Sequence, residues 1–354
     1  MSSLTNPSRL LLRNIEELDV SRLLLAMPPA DSVIDELAGL PETEVHVFTT
    51  LLEVQQHAQR SLSHEHVTYA HQPRKPDVSF DGVVLFLQKS RPLVEAMLEQ
   101  LCPLLGEEGY LLLVGENGSG IKSWKKRLGQ FGEVEVVDSA CHSGLVRLCP
   151  SADMQSGKGD LEQTTFQINV AGKDVEVVSL PGVFSHGRLD IGTQLLLETL
   201  SSEVIRGKVL DFGCGAGVIG SWLGLRHKRC RPYLLDADAL AVEASRRTLA
   251  SNQLQGEVIA SHGLSEVKGK YDWIISNPPF HDGVKTRYDV TEEFLRQSRD
   301  HLVNGGQLRI VANNFLRYRP LIEEAFGHCE ELARGNGFVI YGATAGRAFQ
   351  SASF

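Results

Sequence analysis

The chain has 354 residues, and at one domain per roughly 150 residues two domains are expected. A formal charge of -9 and a pI of 5.8 exclude a protein held to nucleic acid by bulk electrostatics, so any RNA contact must come from local patches. The start, with Arg9 and Arg13 among short apolar runs, lacks a signal-peptide pattern, no run reaches the roughly 20 apolar residues that cross a bilayer, and six scattered cysteines fit reduced thiols. A cytoplasmic protein is expected.

Residues 8–26 are rich in leucine but fit no single period, so helix and strand both stay open there. Asp31 to Leu40 predicts a short helix with Asp31 as its N-cap, Val45 to Phe48 a strand, and Leu51 to Gln59 a helix. His64, Glu65, His66 and His71 match no standard metal-ligand spacing, and a solvated loop is the better reading. Asp81 to Leu87 then predicts a buried strand, Pro92 to Leu105 a helix, and Tyr110 to Val114 a second buried strand. Such alternation implies parallel pairing in an α/β sheet. Trp124-Lys125-Lys126-Arg127 is the most basic short cluster. A solvated helix face explains it most simply, and the tryptophan makes it also the first candidate for RNA contact.

From Pro150 to Gln163 the chain turns polar and loses its apolar anchors, which places the domain boundary: 1–155 on one side, 164–354 on the other. Phe166 to Val170 and Val175 to Val178 alternate around Ala171-Gly172-Lys173-Asp174, a hairpin signal. A helix running to about Leu200 begins near Leu189-Asp190-Ile191-Gly192-Thr193.

The next stretch carries the chemistry. Lys208 to Phe212 predicts a strand that ends in Gly213-Cys214-Gly215-Ala216-Gly217 and opens a helix, which lets a ligand approach bare backbone at a helix N-terminus. Nineteen residues after Gly217, the strand Tyr233-Leu234-Leu235 ends in Asp236, placed to accept both hydroxyls of a ribose. A dinucleotide loop would read Gly-x-Gly-x-x-Gly, whereas position 218 is Val. Asp211, just before the loop, would repel a pyrophosphate and suits an ammonium group. These details favour S-adenosylmethionine over a dinucleotide and so disfavour an oxidoreductase.

After a helix (Leu240 to Leu249) and a strand (Glu257 to Ala260) comes Tyr271 to Phe280, an apolar strand cut short by Asn277-Pro278-Pro279-Phe280. Two prolines fix two φ angles and remove two donors, leaving an amide, bare carbonyls and an aromatic face on a stiff turn. That set suits a flat heterocycle bearing an amino group. Thr291 to Leu302 predicts a helix and Gln307 to Val311 a strand. In a parallel sheet the glycine loop, Asp236 and Asn277 would then meet beyond the strand ends.

Residues 81–117 and 272–314 share one pattern of acidic start, apolar strand, helix, glycine-led turn and a strand ending in Val-x-x-Asn. The first copy has Leu87-Gln88-Lys89-Ser90 in place of Asn277-Pro278-Pro279-Phe280, and no glycine loop follows Leu24-Leu25-Ala26. The expectation is two tandem Rossmann-like methyltransferase domains, each a mostly parallel twisted sheet, the N-terminal one degenerate and serving RNA binding or scaffolding.

With Leu180-Pro181-Gly182-Val183-Phe184-Ser185, the glycine loop, Ile274 through Gly283 and Leu308 to Asn313, nearly the whole chain resembles the RsmC family, bacterial methyltransferases of small-subunit (16S) ribosomal RNA that modify guanine N2. The resemblance implies S-adenosylmethionine as donor and the assembled 30S subunit as substrate; in-line positioning of two bound reactants needs no metal, and a monomer is expected. Where the family tends to place Asn near the adenine, this chain has His262, a departure that leaves the residue's role open. Residue chemistry assigns Asn277 and the Pro278 carbonyl as acceptors for an amino group, and Phe280 as a stacking face. Asp211, Gly213, Gly215, Gly217, Asp236, His262 and Asn277 are the expected cofactor residues. An adenine-N6 or glutamine-amide methyltransferase could use the same turn. A mainly non-catalytic ribosome-assembly factor is the reading from another class.

Overall fold

The computed structural model describes residues 4–156, 159–184, 187–264, 266–278 and 285–346, with side chains described for all of these except 285–289. The chain divides into two units, Met1–Glu162 and Gln163–Phe354. Both are α/β.

In the first unit seven strands form one sheet: β1 (Arg22–Ala26), β2 (Glu44–Thr49), β3 (Val67–Tyr69), β4 (Phe80–Phe86), β5 (Leu105–Glu116), β6 (Gly132–Asp138) and β7 (Ser143–Pro150). Their order is β3-β2-β1-β4-β5-β7-β6, parallel up to β5 and antiparallel where β7 joins. The second unit begins with the hairpin of β8 (Thr164–Val170) and β9 (Lys173–Ser179). Its sheet comprises β10 (Gly207–Phe212), β11 (Cys230–Asp236), β12 (Glu257–Ala260), β13 (Tyr271–Ser276), β14 (Leu302–Asn313), β15 (Glu330–Gly335) and β16 (Phe338–Thr344). The order β12-β11-β10-β13-β14-β16-β15 repeats the first sheet strand for strand.

The sequences explain the elements. β4 and β13 carry continuous apolar runs because helices cover both faces of a parallel sheet. The helix Arg91–Leu101 starts where the Ser90 hydroxyl accepts from the Leu93 N–H with Pro92 in the first turn, and it buries Leu93, Val94, Met97, Leu98 and Leu101. Asp31 was expected at the N-cap of the second helix, but Ser32 occupies that position and Asp31 stands one residue before it. Asp31 Oδ1 accepts from Val33 N–H, while its Oδ2 takes the Thr5 N–H and the Ser8 hydroxyl. Residues 8–26, open by periodicity, resolve into a helix (Asn6–Arg13), a turn and β1. The antiparallel pairs β6–β7 and β15–β16, short and half exposed on β6 and β15, carry too little alternation for the sequence to have announced them.

The duplication reaches single hydrogen bonds. Asp81 accepts from the Arg22 N–H and Asp272 from the Lys208 N–H, both at 2.8 Å, so each copy's acidic start ties the foot of one central strand to the next. The twelve-residue strands β5 and β14 bury and expose the same positions except the last. Both carry the same irregularity: Leu105 faces Phe80 and Tyr110 faces Gly82, while Leu302 faces Tyr271 and Gln307 faces Trp273.

Strand register also corrects one comparison. Leu85 pairs with Ala26 as Ser276 pairs with Phe212, so Phe86, not Leu87, stands where the second copy has Asn277. By the same register Leu25 stands for Asp211, Met27 for Gly213 and Thr49 for Asp236.

Among the described residues no helix is long and apolar enough to cross a membrane. Glu44, His46 and His66 do converge, with ligand atoms within 4.8 Å of one another, although His64 and His71 were the residues that composition had grouped with His66. The Arg22 guanidinium lies against this cluster, 3.2 Å from Glu44 Oε2 and 3.3 Å from His46 Nε2, and already supplies its positive charge.

Replacing Asp81 or Asp272 by alanine leaves a strand-foot N–H without its acceptor, and each variant should lose about 1–2 kcal/mol. Urea unfolding of each variant against wild type checks this. Unchanged midpoints would show that water satisfies these donors equally well.

Candidate active site at the strand ends of the second unit

The strand order decides which side chains meet. β12, β11, β10 and β13 lie side by side and parallel. Their carboxyl ends therefore set His262, Asp236, the Gly213–Gly217 loop and Asn277 in a row, three interstrand spacings or about 14 Å across. Sequence reasoning expected this convergence, and the sheet provides it.

The loop is pinned to its neighbour. Gly213 and Cys214 donate their N–H groups to the Leu235 carbonyl at 2.8 and 3.0 Å, and Gly215 N–H donates to Asp236 Oδ2 at 3.0 Å. Asp236 Oδ1 accepts from Asp238 N–H at 3.0 Å, so this carboxylate braces two backbone segments besides facing the edge. Gly213 and Gly215 have φ of +71° and +54°, and a Cβ on either would meet no atom within 4 Å. Only glycine takes these angles without strain, and the space over them is open to a ligand. Gly217 differs: a Cβ there would lie 3.0 Å from Ser245, so it is glycine for packing as well.

Asp211 lies under the loop, 1% exposed. Its Oδ2 accepts from the Gly220 N–H at 3.0 Å, and its Oδ1 is buried with no hydrogen-bond partner among the described residues. Burial pushes this carboxyl up to about 7, the Gly220 N–H opposes the rise, and the charge of Asp236 adds to it. A buried acid with one unsatisfied oxygen beside an open glycine cradle fits a cationic group on a bound ligand.

Asn277 follows β13 with its side chain held. Nδ2 donates to Asp190 Oδ2 at 2.9 Å and to Thr193 Oγ1 at 2.7 Å, while Oδ1 is buried and has no partner among the described residues. The Ser276 hydroxyl bonds the Phe212 carbonyl at 2.7 Å, locking the ends of β13 and β10 together just below. Pro278 is buried next to it. Pro279 and Phe280 lie outside the described residues. His262 follows Ser261, whose N–H donates to the Asp236 carbonyl at 3.0 Å, and is half-buried at the outer end of the row.

Both halves match known domains: residues 174–342 fit the methyltransferase small domain and residues 8–160 its N-terminal partner domain. The ribosomal RNA small subunit methyltransferase C of Pseudomonas entomophila is 43% identical over 340 residues, 96% of this chain and 99% of that protein. The chain belongs to the ribosomal RNA small subunit methyltransferase C family. The Stutzerimonas stutzeri member is 44% identical over 339 residues, with 96% and 99% covered. A solved structure of this family, a Thermus thermophilus 16S rRNA N2 G1207 methyltransferase in complex with AdoMet and guanosine, superposes with a TM-score of 0.79 at 25% identity, over 91% of this chain and 88% of that one.

Two residues of this family member's site escaped the sequence reading, Asp190 and Thr193. The helix start at Asp190 was legible, since an Asp before a helix reads as an N-cap, and its carboxylate indeed accepts from the Thr193 N–H at 2.9 Å. Its second engagement, with a residue 87 positions away, left no local signal. The basic cluster needs a correction. Trp124 is 4% exposed and anchors the helix Ile121–Leu128 in the core, so no base can stack on it. Lys125 and Lys126 are exposed and Arg127 half-exposed.

Because the folded protein holds the Asp211 proton up to about 7 against an ordinary 3.8, ligand-free stability should fall as pH rises through that window on account of this group, and the loss should be complete above it. Asp211→Asn should remove this component. Urea midpoints at pH 5 and pH 8 for both proteins measure it. An identical pH slope in the variant would show that the carboxyl titrates normally.

Proposed function

We propose that this protein transfers a methyl group from S-adenosylmethionine to the exocyclic N2 of a guanine in 16S rRNA, in the cytoplasm, with the assembled 30S subunit as substrate. The observation that carries the reading is the Asn277 amide, whose nitrogen is committed twice over while its oxygen is buried and unpartnered among the described residues. Such a carbonyl oxygen at a strand end, beside an open glycine cradle, calls for an N–H donor. Family relatives named for this reaction add support.

Asp211, Gly213, Gly215, Gly217, Asp236, His262 and Asn277 would hold the cofactor. The bare backbone of Gly213 and Gly215 gives close approach, the unsatisfied Asp211 oxygen suits the ammonium end, Asp236 suits the ribose, and His262 lies at the end left for the adenine. When bound, the cofactor supplies an electrophilic methyl on a sulfonium centre that leaves as a neutral thioether. The chain's own contribution is orientation and hydrogen bonding. A guanine amino group is a poor nucleophile because its lone pair is delocalised into the ring. Asn277 Oδ1 and the Pro278 carbonyl accept its two N–H bonds, which turns the lone pair out of conjugation toward the methyl group. As the N–C bond forms, positive charge grows on the nitrogen and both acceptors stabilise it more strongly, and the cationic nitrogen then gives up one of its two protons to solvent to leave the neutral methylamino group. Phe280 is assigned to stack on the base, which has to leave its own stack to arrive.

The first domain, 1–155, would hold RNA rather than cofactor. With Leu25, Met27, Thr49 and Phe86 at the positions of Asp211, Gly213, Asp236 and Asn277, it lacks the two carboxylates, the glycine and the amide on which the catalytic domain, 164–354, relies. Lys125, Lys126 and Arg127 form its proposed RNA patch, without Trp124. The protein is assigned as a monomer.

Asn277→Ala should lower methyl transfer to 30S subunits by at least about 100-fold while S-adenosylhomocysteine still binds. Labelled-methyl incorporation followed by mass analysis of the nucleosides reads the loss and identifies N2-methylguanine, and full activity in the variant would sink the mechanism. Reversing Lys125, Lys126 and Arg127 to Glu should weaken RNA binding and reduce the slope of log affinity against log salt by about 0.7 to 0.9 for each phosphate that the patch neutralises. An unchanged slope rules the patch out.

A further inference from the structure

Asparagine is an ambiguous catalytic group. Its amide presents an acceptor on one side and two donors on the other, and a half-turn about its last bond exchanges them. A site built to hold an amino group needs the oxygen forward. A donor-bearing face in the same place would repel the substrate's N–H bonds and would instead welcome a ring nitrogen or a carbonyl. Something must choose, and the strand-ending turn by itself does not.

The choice is made on the helix Ile191–Leu200. Asp190 stands at its N-cap, where the carboxylate accepts from Thr193 N–H at 2.9 Å and faces the positive end of the helix. The same Oδ2 takes one Asn277 amide proton at 2.9 Å, and Thr193 Oγ1 takes the other at 2.7 Å. A carboxylate only accepts, so a flipped amide would set oxygen against oxygen there. Thr193 is itself 7% exposed, which keeps water from standing in for it. Gly192 allows the approach: a Cβ at this position would lie 3.1 Å from Asp190 Oδ2, 3.0 Å from Val311 Cγ1 and 3.2 Å from Phe338 Cδ1. The helix start is therefore pressed against the sheet, with no room to retreat from Asn277.

We propose that Asp190 and Thr193 are positioning residues that lock the Asn277 amide with its oxygen toward the substrate, and so restrict the site to a nucleophile that presents N–H groups. The inference rests on the reading of Asn277 as the amino-group acceptor and goes further, because it explains how the site selects the amino edge of a base over its bare ring nitrogens and carbonyl. The lock also polarises the amide: hydrogen bonds donated by Nδ2, one of them to an anion, move electron density onto Oδ1, which strengthens it as an acceptor while positive charge grows on the attacking nitrogen.

Asp190→Ser separates this role from simple capping. Serine is as good an N-cap as aspartate, yet its hydroxyl is one atom shorter and uncharged, so the helix keeps its cap and Asn277 loses its carboxylate. The expected result is a fall in kcat of at least about 30-fold for methyl transfer to 30S subunits, with Tm and S-adenosylhomocysteine affinity unchanged. In the Asn277→Ala background the same substitution should cause no further loss. Thr193→Val should lower kcat in the same direction, and Thr193→Ser, which keeps the hydroxyl, should restore most of it. Wild-type kcat in Asp190→Ser would overturn the lock, as would a second, independent loss in the double variant. Should Asp190→Ser lose its thermal stability, the Thr193 pair decides alone, and equal kcat in Val and Ser variants would refute the proposal. Wild type and Asn277→Ala run alongside: a wild type that makes no N2-methylguanine defeats the functional reading itself, whereas an active wild type and a silent Asn277→Ala with an unaffected Asp190→Ser defeat only the lock.

Discussion

The bond from the Gly215 N–H to Asp236 holds the functional end of the second unit in shape. It ties the loop after β10 to the end of β11, and the same carboxylate carries the Asp238 N–H that opens the following helix. Two loop glycines with positive φ can then lie flat over the sheet, leaving open space where side chains would stand. Beneath them the constraint has a cost. Asp211 is shut away from water with one oxygen unpartnered among the described residues, an arrangement that a protein optimised for stability alone would replace with an apolar residue.

The first unit shows that replacement. Its sheet has the same strand order, the same bulge and the same acid at the strand foot, and at the position of Asp211 it carries Leu25, fully buried in the core. Met27 keeps a positive φ of 53° where Gly213 has 71°, and its N–H still bonds the adjacent strand, at 2.7 Å to Phe48 as Gly213 bonds Leu235 at 2.8 Å. The backbone of the cradle thus persists after its chemistry has gone. Backbone geometry follows from sheet pairing, which both copies retain, whereas the buried Asp211 carboxyl destabilises the apo fold and is kept where a ligand repays it.

Seen along the sheet edge, the second unit divides its labour by strand. β10, β11 and β12 contribute the glycine loop, Asp236 and His262, and β13 contributes Asn277 at the other end of the row. The bond from Ser276 to the Phe212 carbonyl couples the two groups, so the strand that ends in the cradle and the strand that ends in the acceptor shift together or not at all. Stacking of Phe212 on Phe294, with ring centroids 3.9 Å apart, stiffens the same junction from the helix side.

The sequence by itself determined the two-domain α/β plan, the glycine loop with Asp236 nineteen residues on, the strand stopped at Asn277, and the kinship of the two halves, because each is written in local spacing: apolar runs, glycine and proline punctuation, a strand-terminal acid. Only the tertiary structure decided what those residues touch. It revealed that Trp124 is core rather than surface, that Phe86 rather than Leu87 answers to Asn277, that the sheets end in antiparallel strands, and that Asp190 and Thr193 hold the Asn277 amide. Those are matters of register, burial and contact between residues as much as 87 positions apart, and local spacing carries no record of them.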